Sequence, residues 1–134
     1  MGARAMRGRL SGVARLATAV ALPALLAACA SDARTEAARL TGGNPERGGA
    51  LIRHYGCGSC HTIAGIPGAN SLVGPPLAGI RGRLYIAGVV KNTPENLARW
   101  IQDPQAVDSL TAMPTLGVTP AEARNIAAYL YSLR

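Results

Sequence analysis

Three segments of the chain place apolar residues at helical spacing directly after a helix-start signature, and each predicts one helix. The first begins at residues 44–46 (Asn-Pro-Glu) and runs to about Tyr55. The second begins at residues 93–95 (Thr-Pro-Glu) and ends at residues 103–104 (Asp-Pro), because proline disfavours helical geometry in the residue before it. The third begins at residues 119–122 (Thr-Pro-Ala-Glu), which form a capping box with proline at the first helical position.

The remaining segments have weaker patterns. Residues 62–92 are rich in Gly and Pro and predict loops with one short helix. Residues 30–43 are small and polar without a hydrophobic period, so we expect a flexible coil that averages about 20 Å and reaches at most about 45 Å. No stretch alternates as a strand does. The predicted fold is all-α, with three principal helices and long ordered loops over residues 44–134.

Residues 1–28 have the pattern of an export signal. Residues 1–15 hold four Arg and no acid, and an uncharged apolar run follows at 16–28. This run is shorter than the roughly twenty residues that a helix needs to span a bilayer. Residues 26–29 (Leu-Ala-Ala-Cys) resemble the bacterial lipoprotein signal, in which the cysteine, here Cys29, is lipidated and becomes the first mature residue. Residues 29–43 would then be a lipid-anchored flexible linker on the periplasmic side of a bacterial membrane. The alternatives are an ordinary cleaved signal with Cys29 incidental, or an uncleaved anchor.

Charge and composition narrow the class of protein. Of the net charge of +7, residues 1–28 hold +4, and the remainder mixes ten basic with seven acidic residues, which argues against nucleic-acid binding. The chain has no Phe and only five aromatic residues, although aromatic side chains supply much of a core's buried area. A domain of about 100 residues so composed predicts a poorly filled core unless an apolar cofactor lies at its centre.

Residues 57–61 (Cys-Gly-Ser-Cys-His) are the motif with the most specific chemistry. Cys57 and Cys60 are three residues apart, so their sulfurs lie on one side of a helical turn, and His61 follows directly. This spacing is the signature of covalent haem c attachment, with His61 as an iron ligand. A zinc site would have only His54 and Cys29 as further ligands, and a thioredoxin-like dithiol needs a βαβ context. A plain disulfide between the two cysteines is the third alternative.

The second iron ligand follows by elimination. Met113 is the only methionine outside residues 1–28, and it lies in a loop before the last helix, where a core-filling methionine is not expected. A thioether opposite histidine favours ferrous iron and raises the reduction potential. The alternatives are that Met113 only packs on the haem edge, or that His54 competes as a ligand, although its position predicts a solvated helix residue.

Together with these motifs, residues 73–79 (Val-Gly-Pro-Pro-Leu-Ala-Gly) make residues 44–134 resemble a class I, mono-haem cytochrome c. The resemblance implies a cytochrome c fold around one covalent haem, and a hydrogen bond from His61 to the Pro75 carbonyl. It also implies that Arg83 faces a haem propionate, with a solvent-exposed arginine as the alternative. Trp100 would pack on the haem, which overlaps with ordinary core packing.

The same resemblance matches Gly48 and Tyr129 to positions where the first and last helices cross closely, while Ile52 stands where family members often carry an aromatic residue. Residues 86–104 are similar to the haem c domain fused to subunit II of some terminal oxidases.

The resemblance implies a one-electron carrier of a respiratory chain that donates to a terminal oxidase and takes electrons from a quinol-oxidising complex or a dehydrogenase. With both axial positions filled by His61 and Met113, we expect no enzymatic activity. We also expect a monomer, and the mixed charge of residues 29–134 predicts that it does not bind nucleic acid. Two alternatives stay open at this stage. One is a haem c redox subunit of an exported dehydrogenase, and the other is a small-molecule-binding haem enzyme or sensor with a labile Met113.

Overall fold

The structure, a computed structural model, describes residues 32–133. Within this part of the chain lie four helices, two short 3₁₀ turns and one two-stranded hairpin. The helices are α1 (32–41), α2 (Pro45–His54), α3 (Pro94–Gln102) and α4 (Pro120–Ser132); the 3₁₀ turns are Cys57–Ser59 and Ile80–Gly82, and the strands are β1 (Tyr85–Ile86) and β2 (Val90–Lys91). No helix among the described residues has both the length and the apolar character needed to cross a membrane. The predicted signal in residues 1–28 and the candidate lipidation site Cys29 lie outside the described residues.

The three predicted helices are confirmed, and each begins at its predicted cap. The Asn44 side chain accepts a hydrogen bond from the Arg47 amide at 2.9 Å at the start of α2, and Thr93 accepts one from the Asn96 amide at 3.2 Å at the start of α3. Thr119 begins α4 with the full capping box. Such caps satisfy backbone amides that have no partner within the helix, and each stabilises its helix by about 1 kcal/mol.

Helix α1 was not predicted, and it replaces most of the flexible linker that the composition of residues 29–43 suggests. Ala37 is fully buried and belongs to the core, and Leu40 packs against that core. The Thr41 hydroxyl donates to the Ala37 carbonyl at 2.8 Å. The apolar stripe on α1 is too narrow to be recognised as a periodic pattern in the sequence. The helix forms because alanine has the highest helix propensity and because burial against the core stabilises it. The compact unit therefore begins at Ala33, ahead of the Asn44 start expected from the sequence.

Helices α2 and α4 pack closely against each other. A Cβ atom at Gly48 would lie 2.0 Å from the Asn125 carbonyl oxygen and 2.9 Å from Cβ of Tyr129. The crossing of Gly48 and Tyr129 expected from the sequence is therefore present, and it needs a residue without a side chain. The hydroxyl of Tyr129 also donates a hydrogen bond to the Ala64 carbonyl, at 2.8 Å.

The hairpin β1–β2 was also not predicted. It pairs Tyr85 with Lys91 and Ile86 with Val90, so each strand is too short to show an alternating pattern. The turn places Ala87 at φ 50° and Gly88 at φ 78°, which are both left-handed conformations. Two successive residues of this kind define a turn that matches the twist of paired strands.

Asn92 attaches the hairpin to the rest of the domain. Its side-chain amide donates to the Ile80 carbonyl at 2.6 Å and to the Arg83 carbonyl at 3.0 Å, and its oxygen accepts from the Tyr131 hydroxyl at 2.8 Å. One side chain thus joins α4, the second 3₁₀ turn and the hairpin. This network fixes the segment 80–92, which forms one side of the candidate site.

Candidate haem site

One cavity of about 590 Å³ gathers all the site residues that the sequence predicts within the described part of the chain. Its volume falls in the range of roughly 300–1,000 Å³ that is typical of ligand sites. The predicted residues among its lining are Cys57, Cys60, His61, Pro75, Arg83, Trp100 and Met113. Most of the other lining residues are apolar and come from α2, α3 and α4, the hairpin and the intervening loops. His54 is exposed and is not part of the lining.

The cysteine motif follows directly on the end of α2. Gly56, at φ 66°, ends the helix in a left-handed conformation, and the chain then makes the 3₁₀ turn Cys57–Ser59. The His61 amide donates to the Cys57 carbonyl at 3.0 Å, so the motif forms a compact turn against the cavity. Both Cys57 and Cys60 are free and half-buried, which differs from the disulfide alternative. Burial raises the pKa of the Cys57 thiol.

The imidazole of His61 is held by the loop that follows it in the cavity wall. Its Nδ1 lies 2.8 Å from the Pro75 carbonyl oxygen. A proton on Nδ1 donates to that carbonyl and leaves Nε2 free to bind a metal; such a bond fixes the tautomer and makes the ring a better ligand. The Gly74 amide also donates to the Cys60 carbonyl at 2.7 Å, which fastens this loop to the cysteine motif.

Gly74 is a site residue that the sequence reasoning did not single out. A Cβ atom there would lie 2.5 Å from Cε1 and 2.7 Å from Nδ1 of the His61 ring. We therefore expect Gly74→Ala to displace the imidazole and to weaken both its bond to Pro75 and its ligation. The measurement is the ferric and ferrous absorption spectrum with the reduction potential. A variant with the parent's spectrum and potential would show that the ring does not need this space.

Arg83 lines the cavity, and although it is exposed, as the alternative expects, its guanidinium is hydrogen-bonded to the backbone. Its Nη2 donates to the carbonyl oxygens of Pro76 and, at 3.3 Å, of Ala78. The guanidinium therefore also holds the loop that carries Pro75, a function that the sequence did not predict. Its expected contact with a haem propionate remains a prediction.

Trp100 and Met113 reach the cavity from α3 and from the loop that follows it. Trp100 is 8% exposed and belongs to the core, in keeping with the overlap of cofactor and core packing. Met113 is half-buried, and its amide donates to the Thr111 hydroxyl at 3.2 Å. The Thr115 hydroxyl donates to Asp103 Oδ1 at 3.1 Å, which closes the loop around the methionine. The thioether is thus carried by a loop that side-chain hydrogen bonds hold at both ends.

A second contact that the sequence did not predict connects the cavity wall to α4. Tyr55 lines the cavity, and its hydroxyl donates to Glu122 Oε2 at 2.9 Å. The same carboxylate accepts from the hydroxyl and the amide of Thr119, at 2.6 and 3.0 Å. Hydrogen bonds from Thr119, and then from Tyr55, hold the pKa of Glu122 below 4.5, while the bond to Glu122 raises the pKa of Tyr55 above 10.0. Only the structure reveals this pair, because the two residues are 67 positions apart.

The lowered pKa of Glu122 predicts an acid-sensitive contribution to stability. Because the folded pKa lies below the unfolded value of 4.5, this contribution is fully present above that value and is lost as the pH falls through the folded pKa. We expect Glu122→Gln to lower the free energy of unfolding at about pH 7 and to flatten its decline as the pH falls below 4.5. Urea unfolding across this range measures the effect.

The first-turn acid of α3, Glu95, supplies the matched control. Glu95→Gln also removes a carboxylate from the first turn of a helix, without a capping box, and should leave the acid profile of the parent unchanged. If the two substitutions gave the same profile, the Tyr55–Glu122–Thr119 contact would not be the source of the pH dependence.

The sequence of this chain is similar to those of known proteins of one family. The sequence profile of the cytochrome c family matches residues 45–134. A curated relative is cytochrome c oxidase subunit 2 of Alkalihalophilus pseudofirmus, which is 30% identical over 89 residues, or 66% of this chain and 25% of the relative. This chain therefore spans about a quarter of the relative's length. No solved structure matches.

The chain belongs to the cytochrome c family, whose members carry a covalently bound haem c with iron. The residues present fit that group. Two free thiols and an oriented imidazole lie side by side at an apolar cavity, and a thioether lines the same cavity. Within residues 32–133, no three His, Cys, Asp or Glu side chains are grouped as a metal site of another kind.

Proposed function

We propose that this protein is a membrane-tethered, one-haem electron carrier of a respiratory chain, which donates electrons to a terminal oxidase from the periplasmic side of a bacterial membrane. The observation that carries the proposal is the joint placement of His61 and Met113 in the cavity that also holds Cys57 and Cys60. Haem c, when bound, supplies an iron that takes up and releases one electron.

The donor set argues for electron transfer rather than enzymatic catalysis. His61 and Met113 together offer one nitrogen and one thioether sulfur, and both would hold the iron when haem is bound. A substrate would then have to displace a ligand before it reached the metal. The loop around Met113 is closed by the bond between Thr115 and Asp103, which opposes such displacement.

A protein partner would find an apolar rim at the cavity. Val73 is 82% exposed, Tyr85 52% and Leu116 39%, and all three line the cavity. The net charge of +3 on residues 29–134 gives only mild long-range steering, so we expect contact to depend mainly on this apolar rim. The similarity to a terminal oxidase subunit favours an oxidase as the acceptor.

The test is the oxidation of the reduced, haem-loaded protein by membranes that contain a terminal oxidase. We expect rapid oxidation, coupled to oxygen uptake and blocked when the oxidase is inhibited. A protein that exchanges electrons only with an exported dehydrogenase would overturn the oxidase assignment. Rapid turnover of peroxide by the isolated protein would overturn the carrier assignment.

The tether is tested separately with a matched variant. An ordinary cleaved export signal in place of residues 1–29 removes the lipidation site and keeps the described domain intact. We expect the parent to sediment with membranes and the variant to remain in the supernatant with the same haem spectrum. Equal partition of the two proteins would contradict a lipid anchor at Cys29.

A further inference from the structure

Helix α1 is part of the folded domain rather than of a linker. Ala37 is fully buried in the core, and Thr41, 7% exposed, bonds to its carbonyl. Arg34 pairs with Glu46 at 3.4 Å in the first turn of α2, and Glu36 pairs with Arg81 at 3.6 Å. The ion pairs are exposed and contribute little by themselves, whereas the buried stripe fixes the helix.

This packing leaves very little chain between the domain and Cys29. Only residues 30 and 31 separate Cys29 from the described helix. Three residue steps reach about 10 Å at full extension, against the roughly 45 Å that a wholly unfolded segment would allow. A lipid on Cys29 would therefore hold the first turn of α1 at the membrane surface.

Along α2 the cavity lies at the end of the helix farther from this attachment point, while Glu36 of α1 also pairs with Arg81, which lies between the lining residues Ile80 and Arg83. The first turn of α1 contacts Glu46 at the beginning of α2, whereas α2 contributes to the cavity only from Ile52 onward, and Cys57 lies beyond its end. From Glu46 to Tyr55 the helix rises about 13 Å. No residue of α1 is among the cavity lining.

We infer that the domain rests on the membrane through one defined face, the α1 surface, formed by Arg34, Thr35, Glu36 and Arg39. This inference rests on the lipid anchor at Cys29 proposed above. The partner of the α1 surface is the phospholipid headgroup layer. The α1 surface includes no residue of the cavity lining, so the cavity and its apolar rim stay open to a membrane-bound protein partner.

The chemistry of the α1 surface suits headgroups rather than hydrocarbon. It carries charges of both signs, and within the described residues every large apolar side chain that is strongly exposed lies at Leu72 or later. Headgroups of phospholipids present phosphate and ammonium groups to such a surface. The exposed apolar residues instead belong to the segments 72–89 and 110–116, which leaves them for a protein partner.

Neutron reflectometry of the full mature lipoprotein in a phosphatidylcholine bilayer tests this inference. We expect protein density to begin at the headgroups, with a hydrated gap no thicker than about 10 Å. An insertion of twelve Gly/Ser residues between residues 31 and 32 should widen the gap to about 20 Å, which calibrates the measurement. A parent protein with the gap of the insertion variant would overturn the inference.

Two substitutions in α1 test the packing itself. Ala37→Asp places a charge in the core and should release α1, so the gap should widen while the haem spectrum is retained. Thr35→Asp puts the same charge on the exposed side of α1 and should leave the gap unchanged. Equal gaps in the two variants would show that the packing of α1 does not hold the domain at the membrane surface. A parent that forms no layer on the bilayer would instead overturn the lipid anchor, and with it the orientation.

Discussion

Replacement of Met113 by alanine is expected to lower the reduction potential by on the order of 0.1 V or more, within the ~0.8 V span over which axial ligands tune haem iron. The soft thioether sulfur stabilises ferrous iron more than ferric iron, so its removal favours the oxidised state. Met113 is the only thioether among the cavity lining, and no second one can replace it. A potentiometric titration measures the shift, and the ferric methionine-to-iron charge-transfer band should disappear.

The chain supplies a matched control in His54. This imidazole is exposed, lies outside the cavity and packs edge-on against Tyr55. His54→Ala should therefore leave both the charge-transfer band and the reduction potential of the parent in place. If Met113→Ala behaved like His54→Ala, Met113 would be a packing residue at the haem edge and not a ligand.

Replacement of Gly48 by alanine is expected to cost at least about 3 kcal/mol of unfolding free energy, at the upper end of the range for overpacking. The added Cβ would lie 2.0 Å from the Asn125 carbonyl oxygen and 2.7 Å from the carbonyl carbon of the same residue. Both atoms belong to the backbone of α4, which cannot move aside as a flexible side chain can. The whole contact of α2 with α4 must then open.

Chemical denaturation of the haem-loaded protein measures this loss. The control is Gly82→Ala, since Gly82 has no atom within 4 Å of an added Cβ and has no positive φ. This second substitution should change the unfolding free energy by less than about 1 kcal/mol. Similar losses for both variants would mean that the close approach of α2 and α4 is not what Gly48 provides.

The three principal helices were predictable because their signals are local. Asn44, Thr93 and Thr119 each cap the helix that follows, and Pro and Glu in the first turn mark the N-terminal end of each helix. Helix α1 depends instead on a single fully buried alanine, Ala37, whose partner surface forms only in the folded domain. The hairpin at residues 85–91 depends on turn geometry at Ala87 and Gly88, and two-residue strands carry no period.

The candidate site likewise contains residues that the sequence predicts and residues that only the structure reveals. The cysteines and His61 form a contiguous motif, and Met113 is the only methionine after residue 28. The sequence alone therefore identifies all four residues as candidates. Gly74 is important only because the His61 ring occupies the space that a side chain would need, and Glu122 only because the Tyr55 hydroxyl donates to it across the fold. Contacts between residues that are distant in the sequence leave no spacing that a sequence pattern could reveal.

The covalent attachment of one haem to Cys57 and Cys60 is the central claim, and one preparation tests it directly. The variant with an ordinary cleaved signal in place of residues 1–29, which carries no lipid, is purified and examined by its alkaline pyridine absorption spectrum and by intact mass under denaturing conditions. We expect the spectrum of a haem with both vinyl groups converted to thioethers, and a mass that exceeds the polypeptide by one haem. A colourless protein of polypeptide mass, with both thiols open to alkylation, would contradict the account.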